Sequence, residues 1–149
     1  VSVTVVGETD LADLVPLIVD YCAFYETAPG AEALTRLART LIADPAREGI
    51  QLLARADDGT AIGFATVYWT WQTTVASRLA VMNDLFVAPD ARGSGAAQAL
   101  IARCAELARE HGATELSWVT APDNARAQAV YDRTGAQRES WVTYALPLT

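Results

Sequence analysis

Between residues 79 and 112 an apolar run, a glycine turn and a long amphipathic stretch follow one another directly. That junction restricts the chain to folds in which a strand hands over to a helix. Residues 79–87 read as a strand, closed by Ala88-Pro89. From Ala96 onward, Ala96, Leu100, Cys104 and Ala108 form one stripe, with Ala97, Ile101 and Ala105 beside it. Gln98, Arg103, Glu106 and Arg109 fall largely off that stripe, and Gly112 supplies the stop. The joint itself is Arg92-Gly93-Ser94-Gly95-Ala96-Ala97. Glycines let the backbone turn tightly and approach a ligand without a Cβ in the way. The unpaired N–H groups and the dipole of the following helix make an anion site, and Arg92 adds a positive charge. A pyrophosphate suits that chemistry. No Gly-Lys-Ser/Thr follows, as a Walker loop would need, and Gln98 stands where a dinucleotide fingerprint ends in Gly or Ala.

The remaining elements follow from periodicity. Residues 1–6 alternate as a short strand before Gly7. Leu11, Leu14, Val15, Ile18, Val19 and Cys22 recur at helical spacing, with Asp10 or Asp13 as cap and Pro16 in the first turn or at a kink. Leu34, Leu37, Ala38, Leu41 and Ile42 mark a second helix before Asp44-Pro45. Residues 50–56 and 62–71 flank Asp57-Asp58-Gly59 and read as a β-hairpin. A strand over 115–120, a helix over 125–133 stopped by Gly135 and a last strand over 138–148 complete the order. With no repeat or linker, residues 1–149 read as one mixed α/β domain.

Composition excludes several classes of function. The chain has 149 residues and a net charge of -7, without the basic patch of a nucleic-acid binder. An acidic surface favours cationic ligands such as amines and also keeps a protein soluble. Cys22 and Cys104 are isolated, and His111 is the single histidine, so neither a metal site nor a Ser-His-Asp triad is expected. His111 precedes Gly112 at a helix end, where the dipole favours a cation. No apolar stretch reaches membrane-spanning length. Glu8 and Asp10 interrupt any secretory leader, so the cytoplasm is the expected compartment.

Three groups of residues, taken in order, resemble the GNAT family of N-acetyltransferases. They are Asn83-Asp84-Leu85-Phe86-Val87-Ala88-Pro89, then Arg92-x-x-Gly95-x-Ala97, then Asn124, Ala127 and Tyr131 with Gly135-Ala136. The resemblance implies a mostly antiparallel sheet flanked by helices, splayed between the strand at 79–87 and the strand at 115–120. It also implies acetyl-CoA as cosubstrate. Leu85, Phe86 and Val87 would bond the pantetheine through their backbone, as if the cofactor were an added strand. Arg92, Gly93, Ser94, Gly95, Ala96 and Ala97 would cradle the pyrophosphate. Asn124 would bond the cofactor or act as a plain N-cap. Tyr131 would protonate the leaving thiolate as general acid.

A thioester is already activated, so orientation, a neutral amine and a stabilised oxyanion are the remaining tasks. Backbone N–H groups near Phe86 and Val87 are candidates for the oxyanion. Asp84 is the first candidate base and Glu26 the second. The segment also looks like the polyamine and diamine branch, where an acidic pair is common; Asn83 replaces one acid here. Tyr21, Phe24, Tyr25 and Glu26 fall where the family builds its acceptor pocket, with Tyr68, Trp69 and Trp71 as possible walls. The expected acceptor is a small-molecule primary amine. A protein N-terminus or lysine, and a non-catalytic acyl-CoA-binding module, are the alternatives. Family members are often dimers, and Trp141 and Tyr144 in the last strand lead to the same expectation of a homodimer.

Overall fold

The computed structural model describes residues 1–149. Nine elements follow in order: β1 (Ser2–Val5), α1 (Leu11–Phe24), α2 (Ala31–Ala43), β2 (Gly49–Arg55), β3 (Ala61–Gln72), β4 (Ser77–Val87), α3 (Ala96–Glu110), β5 (Ala113–Ser117) and α4 (Ala125–Tyr131). Two compact units divide the chain. Val1–Val119 carries the sheet and the three long helices, and Thr120–Thr149 carries α4 and the C-terminal segment.

The sheet has five strands in the order β1-β2-β3-β4-β5. Its first three pairings are antiparallel and the β4–β5 pairing is parallel, so the sheet is mixed and mostly antiparallel. The hairpin expected around Asp57-Asp58-Gly59 is the β2–β3 pair. On β3 the side chains alternate between two packed faces. Phe64 joins Leu14, Val15, Leu17 and Ile18 of α1, Leu34 and Ala38 of α2 and Leu53 of β2 in one core. Ala65 and Val67, which point the other way, are fully buried toward α3, whose Leu100, Ile101, Cys104 and Ala108 are buried in turn. Truncating a fully buried leucine such as Leu100 would cost about 2–5 kcal/mol.

The structure departs from the expected elements in places: the strand expected over 115–120 spans Ala113–Ser117, and the helix expected over 125–133 ends at Tyr131. Asp10 is the N-cap residue of α1, but its side chain makes no capping bond; its carboxylate instead accepts from the Gly7 N–H at 2.9 Å and pairs with Arg55 at 3.1 Å. Pro16 lies in the second turn of α1, beyond the position where a missing N–H costs nothing. The last strand expected over 138–148 is absent, because residues 136–149 pair with no neighbouring strand. Alternation marks a face, but a strand exists only with a ladder partner, and Pro147 has no N–H to give one. Trp141, Tyr144, Leu146 and Leu148 are more than four-fifths exposed as a result.

Candidate active site

Strand β4 is paired along one edge to its end and along the other only part of the way. Against β3 the register runs through Val87, which faces Gly63. Against β5 it stops at Val81, which faces Ser117. Residues 82–87 therefore present an open strand edge, the splay expected between β4 and β5. Such an edge offers unpaired N–H and C=O groups to an extended ligand. Leu85, Phe86 and Val87 lie on it and are half-buried.

A bulge begins the open stretch. Thr66 faces Asp84 while Val67 faces Met82, which leaves Asn83 without a partner on β3. A bulge increases twist and re-aims the strand beyond it. Nothing in the sequence marks this register shift. Gly63 did carry a signal, since a glycine inside a strand pattern indicates close backbone approach. A Cβ on Gly63 would stand 2.6 Å from the Phe86 carbonyl oxygen.

Beyond Val87 the chain turns through Pro89–Ala91 and enters α3. Gly93 and Gly95 have φ of +83° and +87°, the left-handed region that favours glycine. A Cβ on either would meet nothing within 4 Å, so the space in front of both backbones is open. Gly95 is the N-cap of α3 and its carbonyl accepts from Ala99. The Ala96 N–H has only the Ser94 hydroxyl at 3.4 Å, and those of Ala97 and Gln98 have no acceptor within the helix. Arg92 is exposed beside this turn. An open cradle, free N–H groups, a 15-residue helix dipole and an arginine fit a pyrophosphate.

Asp84 occupies the face of β4 that looks toward α1, as does Phe86, which faces Phe64. The Tyr21 ring meets Phe64, Phe86 and Tyr25 edge-on at 5.6, 6.0 and 5.1 Å between centroids. Burial, then the negative charge of Asp84, raises the titration of the Tyr21 phenol. Tyr68 is raised by burial and by the same charge. The Asn83 amide donates to Asp84 Oδ1 at 3.0 Å. Next to Asp84 across the strands, the Thr66 hydroxyl accepts from the buried Gln51 side chain at 3.2 Å. Sequence reading named Tyr21 and Tyr68 only as pocket aromatics. Their link to Asp84 depends on strand register and on the packing of α1.

Tyr25 caps the end of α1 and is exposed, with Phe24 edge-on at 5.1 Å. Glu26 follows with φ of +59°, a left-handed helix stop held by a residue other than glycine. Trp69 is not brought together with them. It sits on the α3 face of β3, donates to the Pro45 carbonyl at 2.7 Å and stacks on His111 at 4.1 Å. Adjacent residues of a strand face opposite ways, so Tyr68 takes the α1 face and Trp69 cannot. His111 differs from expectation too. Burial, then Arg78, holds its titration below the ordinary value, overriding the helix dipole. No group of three or more His, Cys, Asp or Glu side chains could hold a metal ion. No helix is long and apolar enough to cross a membrane.

In the C-terminal unit, Asn124 is the N-cap of α4 and accepts from the Ala127 N–H at 3.2 Å. Tyr131 is the last residue of that helix and is half-buried. Its carbonyl accepts from the Thr134 hydroxyl at 2.6 Å, and Gly135, at φ of +87°, follows the turn.

Comparison with known proteins agrees with this arrangement. Residues 17–136 match the family described as the acetyltransferase (GNAT) family. The chain is 30% identical over 139 residues to an uncharacterized N-acetyltransferase, YhfO, of Bacillus subtilis (strain 168), covering 93% of this chain and 91% of that one. It is 33% identical over 88 residues to a thialysine N-epsilon-acetyltransferase of Caenorhabditis elegans, covering 56% and 54%. A crystal structure of a probable acetyltransferase superposes with a TM-score of 0.88 at 27% identity, over 100% of this chain and 99% of that one. An open strand edge leading into a glycine-lined helix N-terminus is thus found in a chain that belongs to the GNAT family of acetyltransferases, acetyl-CoA-dependent enzymes that acetylate amines.

Proposed function

We propose that residues 1–149 act as one N-acetyltransferase domain that moves the acetyl group of acetyl-CoA to a primary amine of a small molecule. The observation that carries this reading is the continuity, within one unit, from the open β4 edge at residues 82–87 to the left-handed glycines before α3. Leu85, Phe86 and Val87 would bond the pantetheine by strand addition. Arg92, Gly93, Ser94, Gly95, Ala96 and Ala97 would hold the pyrophosphate, and Asn124 would contribute its amide from the start of α4. The thioester supplies the activated acyl group. N–H groups on the open edge near Phe86 and Val87 would stabilise the charge that develops on the acyl oxygen.

In the reaction the amine nitrogen forms a C–N bond as the C–S bond breaks. The ammonium proton passes first to Asp84, Tyr131 gives a proton to the departing sulfur, and the second proton that the nitrogen sheds as the amide forms restores the phenol through water. Tyr25 and Glu26 would border the acceptor. Asp84 as base is supported by its placement on the α1 face beside the exposed aromatic end of that helix. A small-molecule acceptor is supported by the likeness to a thialysine N-epsilon-acetyltransferase. Asn83, standing where the polyamine branch carries an acid, argues for one ammonium group at the reacting end rather than a polycation. We place the enzyme in the cytoplasm and read it as a homodimer.

The test is thiol release from acetyl-CoA across a panel of amines, amino acids and peptides. Turnover of a small amine supports the reading. Turnover of peptides alone would move the acceptor to protein N-termini or lysines. Thermal stabilisation by acetyl-CoA with no thiol release for any acceptor would leave a binding module instead.

A further inference from the structure

No residue of the C-terminal unit Thr120–Thr149 is buried, those of α4 included. A segment this short does not close a core alone and needs a partner surface. Its last stretch is patterned as a strand. Val142, Tyr144, Leu146 and Leu148 recur at every second residue and are all strongly exposed, while Thr143, Ala145 and Pro147 alternate with them. The sheet holds a matching edge. β5 pairs with β4 on one side and ends the strand order, so its outer edge carries unpaired N–H and C=O groups. Val119, two residues beyond β5, is 89% exposed.

We propose that a second copy occupies this edge: residues 138–148 of each protomer add as an outer strand to β5 of the other, and this swap holds α4, with Tyr131, in place. The inference rests on the homodimer reading and deepens it. Successive elements of a chain are usually neighbours in space, so the strand that follows β5 and α4 belongs beside a β5. Its own chain leaves it unpaired, and a second copy presents the same edge. The swap is two-fold, so both arms are satisfied at once. An outermost strand also tolerates Pro147, whose missing N–H then faces solvent. The area agrees. A buried aromatic covers about 150–250 Å², so Trp141 and Tyr144 from two arms remove roughly 600–1,000 Å². The surface they cover on the partner brings the total into the range of about 1,200–2,000 Å² found in stable interfaces.

Tyr144→Asp combined with Leu146→Asp tests the swap, because both side chains are exposed in one copy and their replacement spares its core. Light scattering at micromolar concentration should give a dimer for the parent and a monomer for the variant. Amide hydrogen exchange over residues 113–117 should quicken at least about tenfold in the variant, at the N–H groups that β4 does not engage. With the best amine, kcat should fall about tenfold, as for loss of the Tyr131 hydroxyl. Acetyl-CoA should still bind by calorimetry, because the β4 edge and the Gly93–Gly95 turn lie in the other unit. A monomeric parent removes the homodimer and the swap together. A variant that stays dimeric, or becomes monomeric with unchanged β5 protection, overturns the swap and spares the homodimer. A monomeric variant as fast as the parent overturns the bracing of Tyr131. Thiol release by the parent reports on acetyl transfer separately from all of these.

Discussion

Gly63 and Phe86 are in contact through their backbones: a Cβ built on Gly63 would lie 2.6 Å from the Phe86 carbonyl oxygen and 3.4 Å from the Val87 Cα. The glycine lets β3 close on β4 where the opposite edge of β4 lies open. Gly63→Ala must push the Phe86–Val87 backbone aside, because neither atom belongs to a flexible side chain. Overpacking of this kind costs about 1–3 kcal/mol, equivalent to a melting temperature lower by roughly 2–10 °C in a chain of this size. Acetyl-CoA affinity should fall as well, since the displaced segment is the one proposed to bind the pantetheine. Calorimetry of the folded variant checks this; lost stability with unchanged affinity would separate the strand from the cofactor.

Gly95→Asp addresses the phosphate end. A Cβ at this position meets nothing within 4 Å, and an acidic residue at an N-cap is compatible with the α3 dipole, which offsets part of the strain at φ of +87°. The variant should fold. Its affinity for acetyl-CoA should nevertheless drop at least about tenfold, from like charges at close range. Unchanged affinity by calorimetry would move the pyrophosphate elsewhere.

Tyr131→Phe removes the proposed proton donor. General acid catalysis is worth about 10²–10⁴-fold, but a thiolate departs unaided at some rate and water can substitute. We expect kcat to fall by roughly tenfold or more, with acetyl-CoA affinity and melting temperature held. The high-pH limb of the rate profile should change, the phenol's reference value being about 10. A variant as fast as the parent with its best amine would show that this hydroxyl is not the acid.

His111 links stability to pH. Its Nε2 is buried without a partner, its ring stacks on Trp69, and burial followed by the Arg78 charge depresses its titration below 6.5. The folded state thus prefers the neutral ring, and the unfolded chain binds the proton more readily. The contribution is complete above pH 6.5 and is lost as pH falls from there through the lowered folded value. Urea unfolding at about pH 7.5 and about pH 5.5 should show a smaller acid loss in His111→Phe than in the parent. Equal losses would show that another group carries the dependence.

Assembly is checked by mass. Trp141, Val142, Tyr144, Leu146 and Leu148 are each at least 79% exposed, an apolar segment that a second copy would cover. Light scattering at micromolar concentration should give a dimer. A monomer mass would leave that surface to solvent.

By itself, the sequence determined what local chemistry controls. The stripe of Ala96, Leu100, Cys104 and Ala108 could only be a buried helix face, and all four are buried. Gly93 and Gly95 before that stripe foretold a tight left-handed turn, and open space lies in front of both backbones, because backbone handedness is a property of a few consecutive residues. What the tertiary structure alone decided is non-local. Alternation shows that Tyr68 and Trp69 face opposite ways, but only the packing of α1 and α3 assigns Tyr68 to Asp84 and Trp69 to His111. The Asn83 bulge exists in the pairing of two strands and in neither strand alone. Residues 138–148 alternate as a strand would, yet no partner strand pairs with them. Periodicity fixes which residues share a face; register, handedness of packing and the presence of a partner depend on chain segments far away in sequence, whose joint free energy no single segment encodes.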